Sequence, residues 1–265
     1  YISSLKVVRN ILALDPHFEE ANYYHGKLRF GSLHFEEAYQ ILSSYKGDRD
    51  VSWMQESCLR FRGDSGQWQA EITWREILQL KQDLSKVSSK ELQGLRRHIS
   101  ISLAKNLPMN EHIEFARASM ESRNPGDFTF DIQQKKHGYS LSLKGNKAAP
   151  FDEIHNMKLA ELDLSYTDIK DLYLLRGMSL RNLNIAHTPI NSLKFLNTTD
   201  LVDLNIKGTK IHSLESIDAC PLERLTLNSD IKKLKVLNSL KHLKALVIPR
   251  GVYDLQAIKS LIPKV

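Results

Sequence analysis

Cysteine is nearly absent from this chain: Cys58 and Cys220 are the only two, which is too few and too far apart for a disulfide framework or a cysteine zinc cage. They read as buried thiols and fit a reducing compartment without requiring one. No apolar run is long enough to span a bilayer, and the opening YISSLKVVRNILALDP lacks the form of a secretory signal peptide. Glycine-rich phosphate loops are missing, since neither GxGxxG nor GxxxxGK followed by Ser or Thr occurs. The ten histidines are scattered, and His98, His112, His137 and His155 show no His-x-x-x-His or cysteine-paired spacing. These gaps argue against a metal centre and against nucleotide chemistry within these residues.

What is present is the balance of a folded chain: 265 residues, 42% hydrophobic and 26% charged, enough for one or two domains with real cores. The net charge of +6 is localised. Residues 222–265 carry nine Lys or Arg against Glu223, Asp230 and Asp254, so residues 1–221 sum to zero. Lys232, Lys233, Lys235, Lys241 and Lys244 form a candidate patch for an anionic partner. No aromatics are interleaved with them, which favours a solvated terminal face over a nucleic-acid site.

The strongest signal is periodic. Leu141/Leu143, Leu162/Leu164, Leu183/Ile185, Leu204/Ile206, Leu225/Leu227 and Leu246/Ile248 recur at a spacing of 21 residues. Such a period means one supersecondary unit stacked repeatedly. Each pair predicts a short strand with both apolar side chains inward, and stacked strands of this kind form a parallel sheet with crossover returns. Thr167, Thr188 and Thr209 follow in the turn, placed to satisfy backbone groups of the next coil. Ile169, Leu172 and Leu175 then keep a three-residue spacing suited to a 3₁₀ or irregular return. Copies four and five each lack one turn residue, before Ile231 and Val252, which predicts local distortion without loss of the fold.

The pattern LxxLxLxxTxIxxLxxL resembles the leucine-rich repeat, with Thr where that family usually has Asn. The resemblance implies a cap at 127–158 and repeats at 159–179, 180–200, 201–221, 222–242 and 243–263, together a domain over 125–265. The preceding residues 1–124 read as a helical domain. Gly26 and Ala38 lie twelve apart, with Phe35 and Leu42 around them, after the Asp15-Pro16 break. That segment resembles a tetratricopeptide repeat, although Asn22 and His25 stand where the family has a large aromatic and Leu. Residues 1–14 resemble the second helix of a preceding repeat, with Ile2, Leu5, Val8, Ile11 and Leu12 on one stripe. Beginning mid-helix without Met, the chain reads as part of a longer protein. Residues 47–124 predict further helices in a short right-handed stack of pairs, with Ser88 or Ser89 as one N-cap and Pro108 opening the last helix. The fold class expected is an α/β repeat protein: a helical stack, then a solenoid built on a short-strand parallel sheet.

By register, the outward strand positions offer a partner-binding face of Glu161, Asp163, Asn182, Asn184, Asp203, Asn205, Lys207, Arg224, Thr226 and Asn228. A plain solvated surface is the competing reading, since Arg224 is its one residue of hot-spot type. Three short matches carry less. Gly63-Asp64-Ser65-Gly66 resembles a protease nucleophile motif but lies between helices; Arg62-Gly63-Asp64 and the sequon Asn197-Thr198-Thr199 match by letters. No enzyme is legible here, and no cofactor is expected within these residues.

The order of parts, with the phrase LLRGMSLRNLNI (Leu175-Arg176-Gly177-Met178-Ser179-Leu180 at its centre), resembles the C-terminal non-catalytic region of large bacterial serine/threonine protein kinases. The resemblance implies a parent chain using ATP and Mg²⁺, with these residues recruiting substrate or regulating it through protein or peptide contacts. No kinase motif lies in the chain, so no catalytic residue is carried over. A stand-alone scaffold or surface adhesin remains the alternative, as does a binder of an anionic partner. Location stays open between cytoplasm, periplasm and surface, with a lean to the cytoplasm.

Overall fold

A computed structural model describes residues 2–124, 126–147, 151–196 and 200–261. The sequon at Asn197–Thr199, Pro125 of the interdomain junction and Lys264 of the basic tail lie outside the described residues, as does the side chain of Ile2. Two compact units divide the chain, Tyr1–Phe115 and Ala116–Val265. The division falls inside a helix. Among the described residues no helix is long and apolar enough to cross a membrane, and no three His, Cys, Asp or Glu side chains are grouped to hold a metal.

The first unit is helical: α1 (Ile2–Leu14), α2 (Glu19–Gly31), α3 (Phe35–Leu42), α4 (Arg49–Leu59), α5 (Trp74–Lys86), α6 (Lys90–Ala104) and the start of α7 (Met109–Glu121). The expected close approach at Gly26 is present. A Cβ there would fall 2.6 Å from the Leu42 side chain, and Ala38 is fully buried. Phe35 stacks on Phe61 at 4.1 Å, and Phe30 meets Phe35 edge-on. Leu5, Val8 and Leu12 of the α1 stripe are half-buried.

The later helices depart from a simple succession of pairs. Helix α6 returns to α2: Glu91 accepts the Tyr23 hydroxyl at 3.0 Å and pairs with Lys27 at 3.1 Å. Further along, the Cβ direction of Gly31 points at the His98 side chain 3.3 Å away. Burial of an apolar stripe with these polar contacts beside it outweighs continuation of the repeat. Ser89 is the α6 cap, its hydroxyl accepting from Leu92 N–H. A full capping box opens α5, where Thr73 and Glu76 satisfy each other's backbone N–H.

In the second unit the end of α7 packs on the start of the repeat array. The fully buried carboxylate of Glu153 accepts from Ser119 at 2.7 Å and from Arg123 at 2.9 and 3.0 Å. One seven-stranded sheet follows in sequence order: β1 (Asp131–Lys135), β2 (Gly138–Ser142), β3 (Leu159–Asp163), β4 (Asn182–Asn184), β5 (Asp203–Asn205), β6 (Arg224–Thr226) and β7 (Ala245–Val247). The β1–β2 hairpin is antiparallel and each later pairing is parallel. The register sets Leu162, Leu183, Leu204, Leu225 and Leu246 side by side. Five of the six apolar pairs are at most 2% exposed, but Leu246 in the last strand and Ile248 just after it are only half-buried. Short 3₁₀ turns at 152–154, 173–175, 215–217 and 234–239 make returns between strands. Arg176-Gly177 forms the centre of a type II turn, with Met178 N–H donating to Leu175 O and Gly177 at φ 79°.

The threonines act differently from expectation. Each hydroxyl donates to a carbonyl three residues back in its own coil: Thr167 to Leu164, Thr188 to Ile185 and Thr209 to Ile206, at 2.7–2.8 Å. In the first coils the bond to the next coil comes from the backbone N–H of the left-handed residue at the turn, and only Thr209 also takes a bond from the next coil, from the Asn228 side chain. Gly145 donates to Ser165 O, Tyr166 to Ala186 O and His187 to Lys207 O. Tyr166 and His187 hold φ of 61° and 57°, a conformation glycine adopts freely, and their rings stack at 4.6 Å.

Candidate interaction face

Two rows of side chains stand on the exposed face of the sheet, because alternate strand residues point to opposite sides. The first row is Glu161, Asn182, Asp203 and Arg224; the second is Asp163, Asn184, Asn205 and Thr226. All of these but Arg224 and Thr226, with Ser140 and Ser142, line a groove of about 410 Å³ whose charged residues are Glu161, Asp163 and Asp203.

The first row closes on itself in pairs. Asn182 donates to Glu161 at 3.2 Å, and Arg224 donates to Asp203 at 3.3 Å. Burial raises the Asp203 carboxyl above its ordinary value, and the Arg224 guanidinium opposes that shift. The second row is fixed from below. Asp163, Asn184 and Asn205 each accept the backbone N–H two residues on, from Ser165, Ala186 and Lys207, at 2.8–3.1 Å. These Asx turns occupy one oxygen of each side chain and so fix its rotamer. They leave the Nδ2 donors of Asn184 and Asn205 without a partner among the described residues. The face therefore presents amide donors already held in place, which lowers the entropy lost on binding.

Nine of the ten residues expected on this face are exposed or half-exposed: Glu161, Asp163, Asn182, Asn184, Asp203, Asn205, Lys207, Arg224 and Thr226. Asn228 is the correction. It is 1% exposed, with its amide donating to Thr209 O, Thr209 Oγ1 and Ile211 O. Ser165 and Ala186, at the same place in full-length coils, are buried too, and here the amide satisfies carbonyls of the coil before. Tyr253 adds to this bonding by donating to Asn228 O and accepting from Ile231 N–H. Strand alternation alone places Asn228 outward, but β6 ends at Thr226 and Asn228 lies beyond it, where the chain has begun to turn.

Of the basic residues, Lys233 pairs with Glu215 at 3.4 Å and Lys244 with Glu223 at 2.8 Å. Lys232, Lys235 and Lys241 are exposed and have no carboxylate partner among the described residues. Gly63–Gly66 is a tight turn after α4, closed by Gly66 N–H to Gly63 O.

No protein-family model matches the chain, and no curated protein matches it. The crystal structure of an internalin C2 from Listeria monocytogenes aligns with 55% of this chain and 80% of its own length, at 14% identity and a TM-score of 0.25. A likeness that distant carries no argument about either fold or function.

Proposed function

We propose that the chain is a non-catalytic interaction module whose exposed sheet face takes a protein or peptide partner. The observation carrying this is the row Asp163, Asn184 and Asn205, whose side chains are fixed by backbone N–H groups before any partner arrives. The same bonds satisfy backbone N–H groups of the turn, so the row is ordered with or without a partner. The test is photocrosslinking in the source cell, with a crosslinking amino acid at Asn184 or Asn205 and, as control, at the exposed Glu215. A discrete adduct from the strand positions alone supports the reading. Adducts from Glu215 only, or the same adducts from all three, overturn it.

Within that reading, the module recruits substrate for, or regulates, a bacterial serine/threonine kinase to which it is joined. The phrase Leu175–Leu180 and the order of helical and strand-rich parts support this. ATP and Mg²⁺ belong to that parent and not to these residues. Reading the coding region upstream of Tyr1 tests the link: kinase catalytic motifs there support it, and a secretion signal followed by further repeats favours a scaffold or surface adhesin instead. An anionic partner at the basic repeats is a weaker alternative because Lys233 and Lys244 already meet carboxylates. Charge reversal at Lys232, Lys235 and Lys241 that leaves heparin binding unchanged removes it.

A further inference from the structure

A cleft of about 630 Å³ opens in the helical unit between α4, the end of α5 and the turn into α6. That volume lies within the range of pockets that hold small ligands or several peptide side chains. Its apolar elements are Val87 and Trp53, both half-buried, the Trp53 ring lying 6.0 Å from that of Phe30. Its charged groups are Arg49, Arg60 and Lys86 against Asp50 and Asp83.

The two acids are already engaged. Asp83 accepts from Arg60 Nη1 at 2.6 Å and from Lys86 Nζ at 3.3 Å, so one carboxylate serves two cations. Asp50 accepts the hydroxyl of Ser89, the α6 cap. Arg49 has no carboxylate partner among the described residues and is exposed. The cleft thus holds more cationic donors than anionic acceptors, next to an aromatic surface. Ser88 adds a further hydroxyl to the lining.

We propose that this cleft binds an acidic peptide segment, with a side-chain carboxylate or phosphate meeting Arg49, Arg60 and Lys86 while a neighbouring apolar side chain lies against Trp53. Guanidinium groups suit either anion because their planar donors match paired oxygens. The site is separate from the sheet face and stands or falls without it.

The test uses the intact isotope-labelled chain and follows the Trp53 indole N–H signal, assigned with Trp53→Phe. The probes are the blocked tripeptide Glu-Phe-Glu, its charge-reversed form Lys-Phe-Lys, and inorganic phosphate. Glu-Phe-Glu is expected to shift the signal saturably, Arg49→Ala to weaken that binding about tenfold, and Arg49→Lys to restore part of it. Lys-Phe-Lys is expected to leave the signal in place. A shift with phosphate alone assigns the site to phosphoryl groups, and a shift with the acidic peptide alone assigns it to carboxylates; both support an anion site. Absence of a shift with either anionic probe up to about 10 mM, or an equal shift with Lys-Phe-Lys, overturns the proposal. Arg49 lies outside the core, so an unchanged melting temperature in its variants separates lost binding from lost folding.

Discussion

Asn228 shows how one buried side chain can serve the coil before its own. Its three bonds reach Thr209 and Ile211 of the coil before, all out of water. Asn228→Ala leaves buried carbonyls without those donors, and the expected loss is about 2–3 kcal/mol in urea unfolding. An unchanged midpoint would mean that water or backbone takes over. Gly208 marks another residue-scale constraint. At φ 68°, a Cβ there would lie 2.5 Å from the His187 ring, so Gly208→Ala should destabilise the chain. His187→Ala in the same chain removes the clash but not the left-handed backbone, so the pair should be less than additive. Comparing the two single variants with the double checks this directly.

At the scale of elements, the strands were the most legible part of the sequence. The 21-residue spacing of Leu pairs needs only alternation and burial to specify a parallel strand, and the observed register follows it. Leu204→Ala empties a fully buried site between two neighbouring strands, at an expected cost of about 2–5 kcal/mol. A melting curve matching the parent would contradict that register. The face was legible by the same alternation at nine of ten residues, but its Asx turns were not. They depend on a rotamer choice that sequence pattern does not encode. Helix order was harder still, because which helix α6 packs against depends on distant contacts and not on its own period. Glu91 provides a handle on that contact. Bonds from Lys27 and Tyr23 hold its carboxyl below the ordinary 4.5 despite partial burial, which acts in the opposite direction. Its stabilising contribution is therefore complete above pH 4.5 and fades as pH falls through the lowered folded value. Glu91→Gln should flatten that part of the acid limb in thermal melts taken across the range; an unaltered acid limb would remove Glu91 from the account.

At the scale of the whole molecule, the division of the chain inside α7 has a practical consequence. Phe115 is buried in the first unit, while Ser119, Met120 and Arg123 serve the second. A cut placed by sequence at 124 and 125 would separate Glu153 from Ser119 and Arg123. Fragment 109–265 is expected to melt cooperatively, and fragment 126–265 to be markedly less stable. Arg123→Ala alone should cost about 3 kcal/mol, since Glu153 stays buried without that ion pair. Equal stability of the two fragments would show that α7 is dispensable to the repeats. The sequence left this boundary indistinct because a continuous helix carries no punctuation at the point where its burial changes hands.

The shortened turn has an evolutionary corollary. Tandem arrays gain and lose residues by copying errors, and a deletion inside a coil would ordinarily shift every bond that follows. Here β6 and β7 keep their register across the gap, while Asn228 and Tyr253 supply side-chain bonds around the shortened turn. The length of a coil and the rise of the stack are therefore separable traits. Drift can shorten one coil while the shared sheet stays in step.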